Sequence, residues 1–214
     1  TNTSGQTIGL GANCLDADDG STNRNTGLGY NALTAVTTGS QNVGIGYNAG
    51  YNTTTSQDNV IIGHEASESA TTGGGSAVII GSKAAKSCST QSDAVVIGYT
   101  AGSVATDVSY SVLIGVQAGI KHGGSNNVGI GREVMYGVDY NPISYYNVAV
   151  GEEAMKNAKN GALGNTAIGA LTLDVLDGGD YNTAVGYDSG DSITTGNNNT
   201  VIGNGADASS ATVS

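Results

Sequence analysis

Asn-Val-Gly-Ile-Gly-Tyr-Asn-Ala-Gly, residues 42–50, is the stretch that shows how this chain is built. Its pattern is an aliphatic residue, a glycine, two further residues and a small residue, and it recurs twelve times in 214 residues. Successive glycines of the pattern stand 16 to 20 residues apart. Repetition at this period predicts a solenoid of about twelve stacked coils. The twelve glycines are Gly9, Gly29, Gly46, Gly63, Gly81, Gly98, Gly115, Gly131, Gly151, Gly169, Gly186 and Gly203.

The positions before each glycine predict a short β-strand. All twelve residues directly before the glycine are aliphatic, and Val or Thr stands three before it in most repeats. Because strand side chains alternate, these two columns share a face, which we expect to be the core face. Asn recurs four before the glycine, where its amide suits a turn cap or a hydrogen-bonded ladder. Each repeat is therefore predicted to hold two short strands and two corners, in an all-β parallel β-solenoid about 53 Å long.

The composition agrees with this fold and excludes other classes. The chain has 35 Gly, one Pro, no Phe or Trp and 12% charged residues. Collagen would need glycine at every third position, and a disordered chain would lack the aliphatic columns. No apolar run approaches the ~20 residues of a membrane span, so no membrane insertion is expected. Because the sequence starts and stops within the repeat, we interpret residues 1–214 as a single repeat domain from a longer protein.

The position two before the glycine suggests contact between chains. In the middle repeats it holds large aliphatic residues, which the alternation places opposite the expected core face. An exposed apolar stripe favours self-association, and cyclic homo-oligomers are the common form. The alternative is a thicker coil that buries both faces. The interface candidates are Ile61, Ile79, Val96 and Leu113.

Four segments resemble a known group of repeats. They are NVGIGYNAG at 42–50, NVAVGEEA at 147–154, NTAIG at 165–169 and NTAVGYDSG at 182–190. These segments are similar to repeats in the heads of trimeric autotransporter adhesins, and more similar to the NTAIG-type repeats of bacteriophage and cyanophage tail or neck fibres. The resemblance covers essentially the whole chain. It implies a left-handed β-roll in a homotrimer, located in a virion fibre or at a cell surface, with the rest of the fibre or other virion proteins as partners.

The net charge limits the kinds of partner that the chain is expected to bind, and the spacing of the two cysteines bears on disulfide formation. The net charge of −11 disfavours nucleic acid and anionic membrane surfaces. The acidic residues are scattered and the nonapeptide of calcium-binding β-rolls is absent, so we expect no metal site and no cofactor. Cys14 and Cys88 lie four coils apart, about 19 Å along the axis, which is too far for a disulfide within the chain.

The sequence predicts that the protein is not an enzyme. His64 and His122 fall in different coils, and there is no nucleophile elbow and no zinc-type cluster. Glu152 and Glu153 resemble the carboxylate pair of glycoside hydrolases, but neighbouring strand residues point to opposite faces, so we expect the pair not to share a substrate.

Departures from the repeat are the candidate binding sites. The segment 135–146 holds four of the eleven tyrosines and the only proline. Tyrosine has a flat apolar face and a hydroxyl, which suit a sugar or protein ligand. The alternative is that these rings cover neighbouring coils or the seam between chains. The receptor-binding candidates are Tyr136, Tyr140, Tyr145 and Tyr146.

These observations predict a structural fibre module that acts as a rigid spacer and has, in one interpretation, a site for a host glycan or protein. A self-assembling cell-surface filament is the alternative, because uncapped end coils permit end-to-end growth. An ice-binding solenoid is a third hypothesis, which the broken threonine columns disfavour.

Overall fold

The chain forms one parallel sheet wound as a solenoid. The computed structural model describes residues 6–18, 23–70, 75–137 and 144–208. Within these ranges there are twelve strands of three residues each and no helix, and the strands pair in parallel in chain order. The predicted all-β parallel β-solenoid is confirmed. The strands are β1 (Ile8–Leu10), β2 (Thr26–Leu28), β3 (Val43–Ile45), β4 (Val60–Ile62), β5 (Val78–Ile80), β6 (Val95–Ile97), β7 (Val112–Ile114), β8 (Val128–Ile130), β9 (Val148–Val150), β10 (Thr166–Ile168), β11 (Thr183–Val185) and β12 (Thr200–Ile202).

The glycine after each strand is required by the stacking of the coils. At Gly98 the backbone φ is 142°, a region that is essentially open to glycine alone. A Cβ atom on Gly98 would also lie 2.2 Å from the carbonyl oxygen of Gly115 in the next coil. The same conformation recurs after every strand, with φ between 132° at Gly46 and 146° at Gly131. Coils stack at this close distance only because this position has no side chain.

The predicted core face is wrong, and the face predicted to be outside is the core. Ile61, Ile79, Val96 and Leu113 are at most 2% exposed and lie in the core cluster inside the coil. The residues beside them, one and three before the glycine, are half-buried or exposed. Both faces of these strands are aliphatic, so apolar character alone does not identify the inner one. The four residues are therefore not contacts between chains, and the alternative that one coil buries both faces is also not observed.

Side chains from two opposite walls fill the inside of the solenoid. One wall is the inner column, the position two before the glycine, and the other is the position four after it. Where the inner column is small, as at Gly44, the space is taken by Leu33, whose Cγ would lie 2.5 Å from an added Cβ. Where the inner column is large, as at Leu113, the facing position is Gly119. The volume inside the solenoid is thus shared between the two walls.

The asparagine column forms a buried ladder. Asn42 Nδ2 donates to Asn25 Oδ1 at 3.1 Å and to Ser56 O at 2.9 Å, so the amide joins two coils and closes a turn. The same arrangement continues at Asn59 and resumes in the later coils. Both roles predicted for the column are observed together. In three successive middle coils, Ala77, Ala94 and Ser111 stand in place of the asparagine.

The first coil is shifted from its predicted frame by two residues. Gly9 pairs with Gly27 and Leu10 with Leu28, so Gly11 and not Gly9 is the counterpart of Gly29. Aliphatic-glycine pairs follow one another at 8–11, and the pattern alone does not choose between them. Gly11 has the required φ of 138°.

The predicted second strand of each coil does not form in the described residues. Its place has isolated bridges only, such as Thr90 with Asp107. The chain after the glycine instead alternates through left-handed conformations, as at Lys83 (φ 58°) and Ala85 (φ 47°). These conformations turn the backbone continuously, so the second wall is built of turns.

Candidate functional site

The solenoid has an apolar outer face. We use this name for the side chains one and three before each glycine, which project away from the coil on one side of the sheet. Leu28 is 45% exposed, Ile130 is 38% exposed and Ile168 is 42% exposed, although each has a coil on both sides. The outer face is continuous through all twelve strands and carries Val, Thr, Ile or Leu at nearly every position. Exposed apolar surface of this extent is unusual for a single chain.

A column of rings lies along the edge of the outer face. We call the position directly after each glycine the ring column, since it holds Tyr30, Tyr47, His64, Tyr99 and Tyr187. The rings of Tyr30 and Tyr47 stack at 5.6 Å between centroids, and those of Tyr47 and His64 at 5.2 Å. All five side chains are exposed. Stacked rings shield each other's faces and leave only their edges for a ligand.

The tyrosines predicted as receptor contacts are only partly brought together. Tyr145 and Tyr146 are exposed and their ring centroids lie 6.4 Å apart at a tilted angle. Tyr136 is half-buried, with Lys121 Nζ 5.8 Å from its ring centroid. Tyr140 lies outside the described residues. The structure therefore supports one exposed pair, and the function of these four residues stays a prediction.

Two neighbouring coils share a network of charges beside the ring column. Arg132 forms ion pairs with Glu133, Glu152 and Glu153, and Lys156 Nζ lies 2.7 Å from Glu133 and 3.2 Å from Glu153. The hydrogen bond from Lys156 lowers the pKa of Glu133. Such exposed pairs contribute little stability individually. Their effect here is to hold both Glu152 and Glu153 on one side of the coil.

The expectation that Glu152 and Glu153 face opposite ways is wrong. The pair follows β9 in a turn and is not part of a strand, and Glu153 has a φ of 59°. With the backbone turned in this way, both carboxylates reach Arg132. Both also line one surface groove of ≈ 370 Å³, together with Ala170, Leu171 and Tyr187.

The groove lies along the ring column, at a level where the column has a small residue. Backbone hydrogen bonds from Leu171 N to Glu152 O and from Asp188 N to Ala170 O place three coils in register, each 2.9 Å long. Ala170 thus lies between Glu152 and Tyr187 at a position where other coils carry a ring. The groove was not predicted from the sequence.

Two buried titratable groups with shifted pKa values, His122 and Cys88, are structural. Burial lowers the pKa of His122 to about 4, and its Nε2 lies 2.9 Å from Asn127 Nδ2. Burial raises the pKa of Cys88 to about 12, and its Sγ donates to Thr90 O. Cys14 and Cys88 are both free thiols. A neutral buried imidazole and an unreactive thiol in separate coils do not form a nucleophile and base pair.

The described part of the chain has no cluster of metal ligands. No group of three or more His, Cys, Asp or Glu side chains is placed there to hold a metal ion. Among the same residues, no helix is long and apolar enough to cross a membrane.

Comparison with known proteins gave no match. No family model matches the chain, and neither a curated protein nor a solved structure matches it significantly.

Proposed function

We propose that this chain is a structural fibre module in which copies pack side by side through the outer face. The module serves as a rigid spacer of a phage tail or neck fibre, or of a surface adhesin, and presents a receptor site on its side. The resemblance of its repeats supports a left-handed homotrimer. The predicted location is a virion fibre or the cell exterior, and the remainder of the fibre is the predicted neighbour.

The outer face is the observation that supports this proposal best. Eleven steps of about 4.8 Å and a width of about 10 Å make roughly 500 Å² of flat apolar sheet, at the upper range for the largest patch of a monomer. The face repeats at one spacing through every coil, so a second rod with the same spacing contacts it along its entire length. A further copy of this chain is the partner that has this spacing.

This proposal reverses the roles that the sequence predicts for the two faces of the strands. Ile61, Ile79, Val96 and Leu113 keep each coil filled, and the aliphatic residue that precedes every repeat glycine joins the copies. Three flat faces turned toward one axis enclose a triangular apolar core and leave the corners in solvent.

Light scattering on dilution tests the proposal. The wild-type chain should have the mass of three copies, and the double variant Ile80→Lys/Ile97→Lys should have the mass of one copy with an unchanged circular dichroism spectrum. Ser87→Lys/Thr106→Lys, which adds the same charge at exposed corner residues, is the matched control and should remain trimeric. A wild-type monomer at all concentrations would refute assembly through the outer face.

A filament is the second candidate, because among the described strands β1 and β12 each pair with only one other strand. Ile8 and Ile202 in these strands are 66% and 70% exposed. In the same experiment, end-to-end growth would give a mass that rises continuously with concentration, whereas a trimer has the fixed mass of three copies.

A further inference from the structure

The groove beside Ala170 lies next to a ring of the ring column, at a level where the column has alanine. Tyr187 forms one wall, Glu152 and Glu153 form the other, and Ala170 and Leu171 form the floor. Two coil steps separate the walls, about 9.6 Å. A flat ring at the level of Ala170 would therefore lie about 4.8 Å from Tyr187, close to the 5.2 Å and 5.6 Å of the observed stacks.

We propose that this groove binds a neutral pyranose sugar between the ring of Tyr187 and the carboxylates of Glu152 and Glu153. Tyr187 is 56% exposed, and its neighbours in the ring column are Ala170 and Asn204, neither of which is aromatic. One face of its ring is thus turned toward the groove. The apolar face of a pyranose packs on such a ring, and its hydroxyl groups donate to carboxylate oxygens at the rim.

The charges of the groove favour a neutral ligand over a cation. Arg132 contacts both carboxylates, and Lys156 Nζ lies 3.2 Å from Glu153. Each carboxylate therefore already has a cationic partner, while its remaining lone pairs still accept hydrogen bonds from hydroxyl groups. A purely apolar ring would cover these oxygens without giving them a donor. A sugar packs its apolar face on one wall and donates hydroxyl hydrogen bonds to the carboxylates of the other.

The gap at Ala170 also determines the size of the ligand. A volume of ≈ 370 Å³ accommodates a mono- or disaccharide. The site is repeated once per chain, so a fibre carries several copies and a weak individual affinity is multiplied. This inference rests on the proposed function for its biological role, attachment to a surface glycan, but the binding itself is measured separately from assembly.

Saturation-transfer NMR with the assembled wild-type protein tests the proposal. The probes are the neutral methyl pyranosides of glucose, galactose, mannose and N-acetylglucosamine at millimolar concentrations, with methylguanidinium as the cationic probe. At least one pyranoside should bind saturably. Tyr187→Ala should weaken that binding about tenfold or more, since an aromatic anchor is lost. Ala170→Tyr should abolish it, because the new ring fills the gap as Tyr47 does in its own coil.

The control is Tyr110→Ala, which removes a tyrosine that is similarly exposed, at 60%, but lies outside the groove; it should change the affinity less than about twofold. Light scattering on the same samples should show unchanged mass for all three variants. Absence of saturable binding by any pyranoside, undiminished binding by Ala170→Tyr, or binding of methylguanidinium alone would each overturn the proposed site. A trimer that fails to bind refutes only the sugar site, whereas a monomer that binds refutes only the assembly.

Discussion

At the scale of single residues, the repeat glycine determines how closely the coils approach. Gly98→Ala should lower the free energy of unfolding by at least about 3 kcal/mol, because it adds a clash with Gly115 O to a strained backbone conformation. Urea denaturation followed by circular dichroism measures this change.

Gly203→Ala is the matched control for that substitution. Gly203 has a φ of 136°, but among the described residues only Ala206 lies near its added Cβ, with the Ala206 Cβ at 3.4 Å. It therefore retains the strain without the clash and should cost about 1–3 kcal/mol. Equal losses for the two variants would show that conformation alone, and not the close approach of coils, requires glycine.

His122 is the residue whose protonation opposes the fold. Asn127 Nδ2 donates to Ser144 O as well as facing His122 Nε2, so this imidazole nitrogen is the acceptor and is unprotonated in the folded chain. Burial lowers the pKa of His122 to about 4, against the opposing effect of the Asp107 charge. The ordinary histidine pKa of the unfolded chain is about 6.5. Between these values the unfolded chain binds a proton that the folded chain does not, so stability falls as pH falls.

The stability of the wild-type chain should therefore decrease by about 3 kcal/mol relative to His122→Gln between pH 7 and pH 4. Taking the difference between the two proteins removes the contribution of Glu65 and Glu133, whose pKa values are lowered by Lys86 and Lys156. Urea denaturation at a series of pH values measures it. Parallel stability curves for the two proteins would mean that His122 is protonated in both states or in neither.

At the scale of the strand, adjacent residues have opposite environments. Val96 is fully buried in the core, whereas Ile97 projects from the outer face. Val96→Lys would place an unpaired ammonium group among apolar side chains at a cost of several kcal/mol, so this variant should not fold. Ile97→Lys leaves its ammonium in solvent and should change the unfolding free energy of a separate chain by about 1 kcal/mol or less. Circular dichroism of both variants decides which face is the core, and a folded Val96→Lys with an unfolded Ile97→Lys would restore the opposite assignment.

The strands could be located from the sequence, but their faces could not. Periodicity identifies β2 to β12 because each coil must return to the same place above the last one. In each of β4 to β7 all three residues are aliphatic, so the alternation of side chains does not show which face of the strand is buried. The inner face is set by what lies across the coil, at positions such as Ser67 and Gly119, which the sequence presents only as turn residues. The groove was missed for a similar reason, since the side of the coil that Glu153 faces depends on its left-handed backbone.

At the scale of the whole molecule, the described strands contact only the strands of the coils before and after them. The folding free energy of such an array is close to the sum of one term for each coil and one term for each pair of neighbouring coils. The number of coils can therefore be changed more easily than the order of side chains within a coil. Removing residues 81–97 takes out one complete turn from Gly81 to Ile97 and joins β5 directly to Gly98, which occupies the equivalent position. The inner column then passes from Ile79 to Leu113, which keeps large residues adjacent.

This deletion should give a folded, cooperative protein whose free energy of unfolding is lower by roughly a tenth, because one of eleven coil interfaces is lost. Deleting residues 81–88 is the matched control: it removes half a turn, leaves Ile80 joined to residues of the opposite wall, and should prevent folding of the coils that follow. Urea denaturation and light scattering compare the two deletions. If the full-turn deletion were as damaging as the half-turn deletion, stability would depend on contacts specific to the sixth coil and not on the repeated stacking of equivalent turns.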